Sequence, residues 1–115
     1  MIKLVVCLKR KSDLSRAEFT EHWRERHGPL FLETTAVSRY VRKYVQSHAL
    51  DGPVPGFGEA VSAFDGFAEI FFDNAQDMAA AFGAPEYSII RADEVKFLDL
   101  AKCRIAVVEE VHFRE

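Results

Sequence analysis

The chain has 115 residues, a net charge of −3, 49 % apolar and 29 % charged residues. That length makes a single domain, residues 1–115, which buries roughly two-thirds of its unfolded surface. Acids and bases are interspersed without a basic stripe, so nucleic acid is not an expected partner. The apolar run Ile2 to Leu8 is too short for a membrane span and lacks a small-residue cleavage site; no membrane partner and a cytoplasmic location are expected. Cys7 and Cys103 fit a reduced compartment and have no metal-ligand spacing.

Ile2 to Lys9 reads as a strand, with Leu4, Val6 and Leu8 on one face and Val5 and Cys7 on the other. Both faces are apolar, so both should be covered. Ser15 to Pro29 reads as a helix with both ends written in. Ser15 and Glu18 form a capping box, with Leu14 and Phe19 at the staple positions. Gly28 is expected at the left-handed C′ position and Pro29 to forbid continuation. Phe19 and Trp23 share one face of this helix, and His27 lies in its last turn.

Leu30 to Val37 is expected to be short helix or irregular. Arg39 to His48 favours a strand, with Tyr40, Arg42, Tyr44, Gln46 and His48 against Val41, Lys43, Val45 and Ser47. Asp51 to Ser62 holds three glycines and two prolines and reads as a long loop, either a lid or a plain surface excursion. Asp65 to Asp73 is the third strand. Asn74 caps a second helix whose buried stripe is Met78, Ala81 and Phe82, ended by Gly83. Pro85 suits the first turn of a further helix carrying Ile89, Ile90 and Phe97. Lys102 to Phe113 is the last strand, with Ile105, Val107, Val111 and Phe113 on one face.

The order strand, helix, strand, strand, helix, strand is the α+β, ferredoxin-like βαββαβ pattern: a four-stranded antiparallel sheet with helices on one face. The first and third strands are then central. Helices cover one face, yet the central strands are apolar on both. The expectation is a homodimer in which two sheets pack face to face and close a dimeric α+β barrel.

Ten phenylalanines stand beside three tyrosines and one tryptophan. They supply either a Phe-rich core or the walls of an aromatic-lined pocket for an apolar ligand. Phe19, Trp23, Tyr40, Phe67 and Phe71 are the candidates for ligand contacts.

Four residues are candidates for chemistry. His27 sits at a helix C-terminus beside Arg24 and Arg26; the negative dipole end favours imidazolium and the arginines oppose it, so it could exchange protons near neutral pH. Local evidence alone favours a dipole-satisfying cap. Glu69 lies mid-strand between Phe67 and Phe71 and should be buried, either paired to a neighbour such as Arg42 or raised in pKa. His48 and Tyr44 share a strand face that is either a polar exposed edge or the wall of a cavity, where the pair could polarise a bound oxygen. His22 and His112 read as structural. His22 and His27 are five apart, do not share a helical face and make a poor metal pair, so no metal is expected. No thiolate cluster, phosphate loop, dinucleotide fingerprint or nucleophile elbow is present, so any chemistry should need no cofactor or use a bound apolar one.

Several stretches resemble one family. Asp13 to Leu30, with His-Trp-Arg-Glu-Arg-His-Gly-Pro-Leu at its end, is similar to the helix signature of the EthD-like proteins. Arg39 to Leu50, Asp65 to Asp73 and Ala92 to Asp99 are similar to that family's later blocks. The resemblance implies a dimeric α+β barrel. For activity it implies a range: ether-degradation accessory proteins, muconolactone-isomerising enzymes, and dehydratases or decarboxylases of polyketides. In the isomerase relatives, acid/base histidines lie at the end of the first helix and in the loop after the second strand, with a tyrosine on that strand. His27, His48 and Tyr44 occupy the similar positions here.

The leading expectation is a cofactor-independent lyase or isomerase acting on a small apolar, oxygenated or aromatic metabolite. His27 and His48 would exchange protons, Tyr44 would donate to a carbonyl and Glu69 would orient or assist. The alternatives are a cofactor-free monooxygenase and a non-catalytic binding or accessory protein of an oxygenase pathway, a haem-binding version included.

Overall fold

The computed structural model describes residues 1–60 and 62–115. Strand β1 (Ile2–Leu8) leads to helix α1 (Arg16–His22), a π-helical turn (Trp23–His27), α2 (Gly28–Glu33) and α3 (Thr35–Ser38). Then come β2 (Val41–His48), β3 (Gly52–Val54), β4 (Gly58–Ala60), β5 (Gly66–Phe72), α4 (Ala75–Gly83), α5 (Tyr87–Phe97), a 3₁₀ turn (Leu100–Lys102) and β6 (Arg104–Val108). The four-stranded sheet runs β2-β5-β1-β6, with every neighbouring pair antiparallel. This is the ferredoxin-like arrangement, with β1 and β5 central.

Pairing sets the faces. Leu4 opposes Ile70 and Val107, Val6 opposes Ala68 and Ile105, and Tyr44, Gln46 and His48 oppose Ile70, Ala68 and Gly66. Residues directly opposite share a face, so this set forms one layer, and the helices pack on it. One core cluster there joins Leu8, Phe19, Trp23, Ala68, Phe97 and Leu98; a second joins Phe31, Val37, Ile70, Phe72, Ala81 and Ile90. The other face carries Lys3, Val5, Cys7, Lys43, Val45, Phe67, Glu69 and Phe71, and among the described residues no helix covers it. A register shift between Val41 and Lys43 breaks the period of two. Val41 therefore packs with the second core cluster rather than beside Lys43.

The first helix departs from expectation at its end. The capping box forms, with Ser15 Oγ accepting from Glu18 N at 3.1 Å and Glu18 Oε1 accepting from Ser15 N at 2.9 Å. Gly28 is right-handed (φ −58°, ψ −53°), and the helix runs on past Pro29 to Glu33. A proline ring ordinarily collides with the carbonyl four residues back. The wider π turn at Trp23–His27 relieves that collision, and Pro29 becomes a first-turn residue of α2.

Asn74 caps α4 as expected, its Oδ1 accepting from Asp77 N at 2.8 Å. The long loop after β2 contains a small hairpin, β3 with β4, turning through Gly56 and Gly58, both at φ +84°. Val61 of that predicted loop lies outside the described residues. The last strand is shorter than expected, ending at Val108, and Val111 and Phe113 are exposed. Of the three apolar residues read on the helix after Pro85, Ile89 is exposed, and Ile90 and Phe97 are fully buried. Among the described residues no helix is long and apolar enough to cross a membrane.

Candidate active site

A cavity of about 620 Å³ opens between the helix-bearing sheet face and the helices. Leu4, Val6 and Leu8 of β1, Ala68 and Ile70 of β5 and Ile105 and Val107 of β6 form its floor. Trp23, Phe31, Phe97 and Leu98 wall it from the helix side, with Met78 and Phe82 of α4. Ile105 and Val107 sit on the edge strand and are 71 % and 58 % exposed, so the cavity is open along β6. Into this apolar space come a few polar groups: His27, Tyr44, Tyr87, Arg91, Glu94 and the Cys103 thiol.

His27 is buried in the wall at the end of the π turn. Its Nδ1 lies 2.7 Å from Asp93 Oδ2, and its ring packs on Phe97 with centroids 4.9 Å apart. The ionised carboxylate only accepts, so Nδ1 carries the proton and Nε2 is left as the acceptor. Nε2 has no hydrogen-bond partner among the described residues. Burial pushes the His27 pKa below the ordinary imidazole value, against the pull of Asp93. The ring is therefore neutral near pH 7, the form a general base needs.

Asp93 is itself buried and held by a second imidazole: His22 Nε2 lies 3.0 and 3.1 Å from its two oxygens. Burial raises its pKa, but the two histidines outweigh that and hold it below the usual carboxylate range. Asp93 and the role of His22 were not anticipated from the sequence. One signal was available: Asp93 stands three residues after Ile90 and four before Phe97, an acid on the buried stripe of α5.

Tyr44 is the other polar wall, stacked on Phe31 with centroids 5.2 Å apart. It also borders a shallow groove lined by Arg24, Gly28, Pro29, Leu32, Glu33 and Gln46. Burial pushes its pKa up, so the hydroxyl stays protonated. His48 shares the face of Tyr44 but does not line the cavity. Trp23 stands against it, ring centroids 4.6 Å apart, and its Nε2 meets Gln46 Oε1 at 3.0 Å.

Other expectations need correction. Glu69 is on the opposite sheet face, paired with Lys3, because its register partners are Val5 and Val45. The same alternation puts Phe67 and Phe71 on that face, Phe71 lying under the Lys3 and Lys43 ammonium groups, each 5.2 Å from its centroid. Phe19 is fully buried in the first core cluster behind Trp23, and Tyr40 packs at the second cluster beneath Arg39; neither lines the cavity. Of the predicted ligand contacts, Trp23 alone does. β2 is an edge strand, and its polar face divides: Tyr44, Gln46 and His48 lie on the helix side, whereas Arg42 is exposed and paired with Asp73. Among the described residues no three His, Cys, Asp or Glu side chains are arranged to hold a metal ion.

Solved structures of the same fold share little sequence with the chain. An ethyl tert-butyl ether degradation (EthD) family protein from Bacillus halodurans C-125 is 22 % identical, with 96 % of this chain and 99 % of that chain covered and a TM-score of 0.70. An EthD-like protein from Ralstonia eutropha JMP134 is 19 % identical over 98 % of this chain and 94 % of that one, TM-score 0.70. A dimeric protein of unknown function and ferredoxin-like fold from Bacteroides fragilis NCTC 9343 is 16 % identical over 95 % of each chain, TM-score 0.64. No match is found among curated proteins. Residues 11–101 match the EthD domain, a span that takes in the first helix, the π turn with His27, and all of α5 with Asp93. The chain belongs to the EthD domain family.

Proposed function

We propose that the protein is a cofactor-independent lyase or isomerase that moves a proton on a small apolar, oxygenated or aromatic compound. The observation that carries this reading is the His27–Asp93 pair: a neutral imidazole, oriented by a buried carboxylate, in the wall of an otherwise apolar cavity. Such a pair lets Nε2 take a proton while Asp93 stabilises the imidazolium that forms. Tyr44 is the donor for the compound's oxygen. His48 and Glu69 have no part in the reaction on this reading, since neither lines the cavity.

The test is exchange of α-protons into D₂O, followed by NMR, over a panel of cyclic ketones and lactones. Exchange by the wild type that falls about 10²-fold or more in His27→Gln supports the reading. No exchange across the panel, or an undiminished rate in His27→Gln, overturns it. A binding or accessory role is the second reading, favoured by the predominantly apolar walls. It predicts panel compounds bound without exchange.

We further propose that the protein is a homodimer joined through the sheet face that no helix covers. Val5, Cys7, Val45 and Phe67 lie there, and two neighbours of this fold are described as dimeric. A monomer by light scattering at micromolar concentration would exclude it. The free thiols of Cys7 and Cys103 support a reducing, cytoplasmic location.

A further inference from the structure

Gln46 is half-buried on β2 between Tyr44 and His48, on the face beneath the helices. Its Nε2 lies 2.9 Å from Trp23 O and 3.1 Å from Tyr44 Oη, and its Oε1 lies 3.0 Å from His48 Nε2. The orientation of the amide is dictated by chemistry. A carbonyl oxygen only accepts, so the group facing Trp23 O must be the NH₂. Both amide hydrogens are then committed, one to Trp23 O and one to Tyr44 Oη. The amide oxygen is left to accept from His48 Nε2–H.

This has a consequence for Tyr44. Its oxygen accepts from Gln46, so its own hydrogen is not used toward Gln46. The Trp23 indole N–H also bears on this oxygen and can only donate, so among the described residues no acceptor takes the Tyr44 hydrogen. The aromatic ring is fixed by stacking on Phe31, one turn beyond His27. The backbone is shaped to admit the amide. The π turn gives Trp23 O the Gly28 N–H as partner, and its second lone pair takes Gln46. A Cβ at Gly28 would stand 2.8 Å from Gln46 Nε2.

We infer that Gln46 is a positioning residue that makes Tyr44 a hydrogen-bond donor to a carbonyl oxygen bound in the cavity, and that the substrate is therefore a ketone or lactone with an acidic α C–H. The inference deepens the acid/base reading above and rests on it for the role of His27. The two walls have opposite, fixed polarity: Asp93 makes His27 Nε2 an acceptor, and Gln46 makes Tyr44 Oη a donor. In the reaction the Nε2 lone pair takes the α-proton. The C–H electron pair becomes the C=C bond of an enolate, and the carbonyl π pair moves to oxygen, where Tyr44 holds it. Return of the proton from Nε2 to the same or another carbon completes exchange or isomerisation.

The experiment reads the donor without requiring turnover. ¹³C=O-labelled 1-indanone is bound to wild type, Tyr44→Phe, Gln46→Glu and His27→Gln, and the carbonyl stretch is measured by infrared difference. In Gln46→Glu the carboxylate can only accept, so Tyr44 turns its hydrogen to it and away from the cavity. A red shift against the ketone in cyclohexane is expected in wild type and His27→Gln, and is expected to vanish in Tyr44→Phe and Gln46→Glu. A shift retained in either of the latter two, or absent from the wild type, overturns the inference. If Gln46→Glu does not fold, wild type against Tyr44→Phe decides, an equal stretch in both overturning it. His27→Gln separates the two proposals, because loss of exchange there with the shift retained faults neither the donor nor Gln46. Where exchange is measurable, removing the donor should slow it about 10²–10³-fold.

Discussion

Asp93 and His27 are 66 positions apart in the chain and 2.7 Å apart in space, carboxylate oxygen to imidazole Nδ1. The contact joins α5 to the π turn, and it fixes which ring nitrogen carries the proton. Asp93→Asn keeps the shape but offers an amide, which can present N–H as readily as oxygen. The His27 proton is then no longer held on Nδ1. The expected outcome is a loss of about 10²-fold or more in proton exchange with little change in ketone affinity. ¹⁵N NMR of the imidazole nitrogens checks the cause: Nδ1 should be protonated in the wild type and mixed in the variant.

The pH dependence follows from the same pair. Burial lowers the His27 pKa more than Asp93 raises it. The base form therefore survives below the ordinary histidine value of about 6.5. Exchange rates should rise with pH and level off with a midpoint below that value. In Asp93→Asn the raising influence is gone, and the midpoint should move lower still. Stability has the matching sign. The unfolded chain binds the His27 proton first, so stability is lost as pH falls from the unfolded pKa toward the folded one. A midpoint above 6.5 in the wild type would contradict the assignment.

The elements themselves were legible in the sequence because their signals are local. The capping box at Ser15, the Asn74 cap and the period-two strands each need only a few neighbouring residues. The site was legible in part. His27 and Tyr44 stand in the cavity wall, and Trp23 beside them. Glu69, Phe67 and Phe71 were misassigned because a strand's two faces look alike when both are apolar. Only the register with β1 and the side chosen by the helices tells which face holds the cavity. Asp93 escaped because its partners, His22 and His27, lie on another helix more than sixty residues away. The π turn escaped for a different reason. Gly-Pro after a helical run ordinarily ends the helix, and the wider turn that lets it continue here, with Gln46 bonded to Trp23 O, has no signal in the neighbouring residues.

Gly28 and Gly66 should respond oppositely to alanine. At Gly66 a Cβ would lie 2.4 Å from Trp23 Cζ3, an atom of a fully buried rigid ring. Gly66→Ala should cost about 1–3 kcal/mol by overpacking. At Gly28 the Cβ would meet the mobile end of Gln46 at 2.8 Å, and the backbone is already right-handed. Gly28→Ala should leave stability within about 1 kcal/mol, since helix propensity offsets the crowding. It should nevertheless displace the amide and weaken the carbonyl red shift. Denaturant melts and the infrared measurement together check the pair. A Gly28→Ala protein with a wild-type carbonyl stretch would show that Gln46 does not need its observed place.

Asp65 is fully buried where β5 begins, and it gathers three chain segments. It accepts from Arg10 N at 2.8 Å and Arg16 Nε at 2.7 Å, and it pairs with the Arg10 guanidinium. The backbone N–H of Asp65 bonds to Leu8 O at 2.8 Å. Burial alone would raise the pKa of this carboxyl, but the Arg10 and Arg16 hydrogen bonds hold it below the usual carboxylate value. Asp65→Asn keeps an acceptor but removes the charge that two guanidinium groups face. The arginines are partly exposed, about 30 % and 28 %, so water recovers some of the loss. The expected cost is about 2–4 kcal/mol, a fall in Tm of roughly 10 °C. The sign with pH is definite. A depressed pKa contributes stability that is present above the unfolded carboxyl value and is lost as pH falls through the folded one. The wild type should therefore lose stability steeply in the acid range below about pH 4, and Asp65→Asn should show a shallower acid limb. Thermal melts of both proteins across pH 3 to 7 measure this. Parallel curves would remove Asp65 as a contributor to acid unfolding.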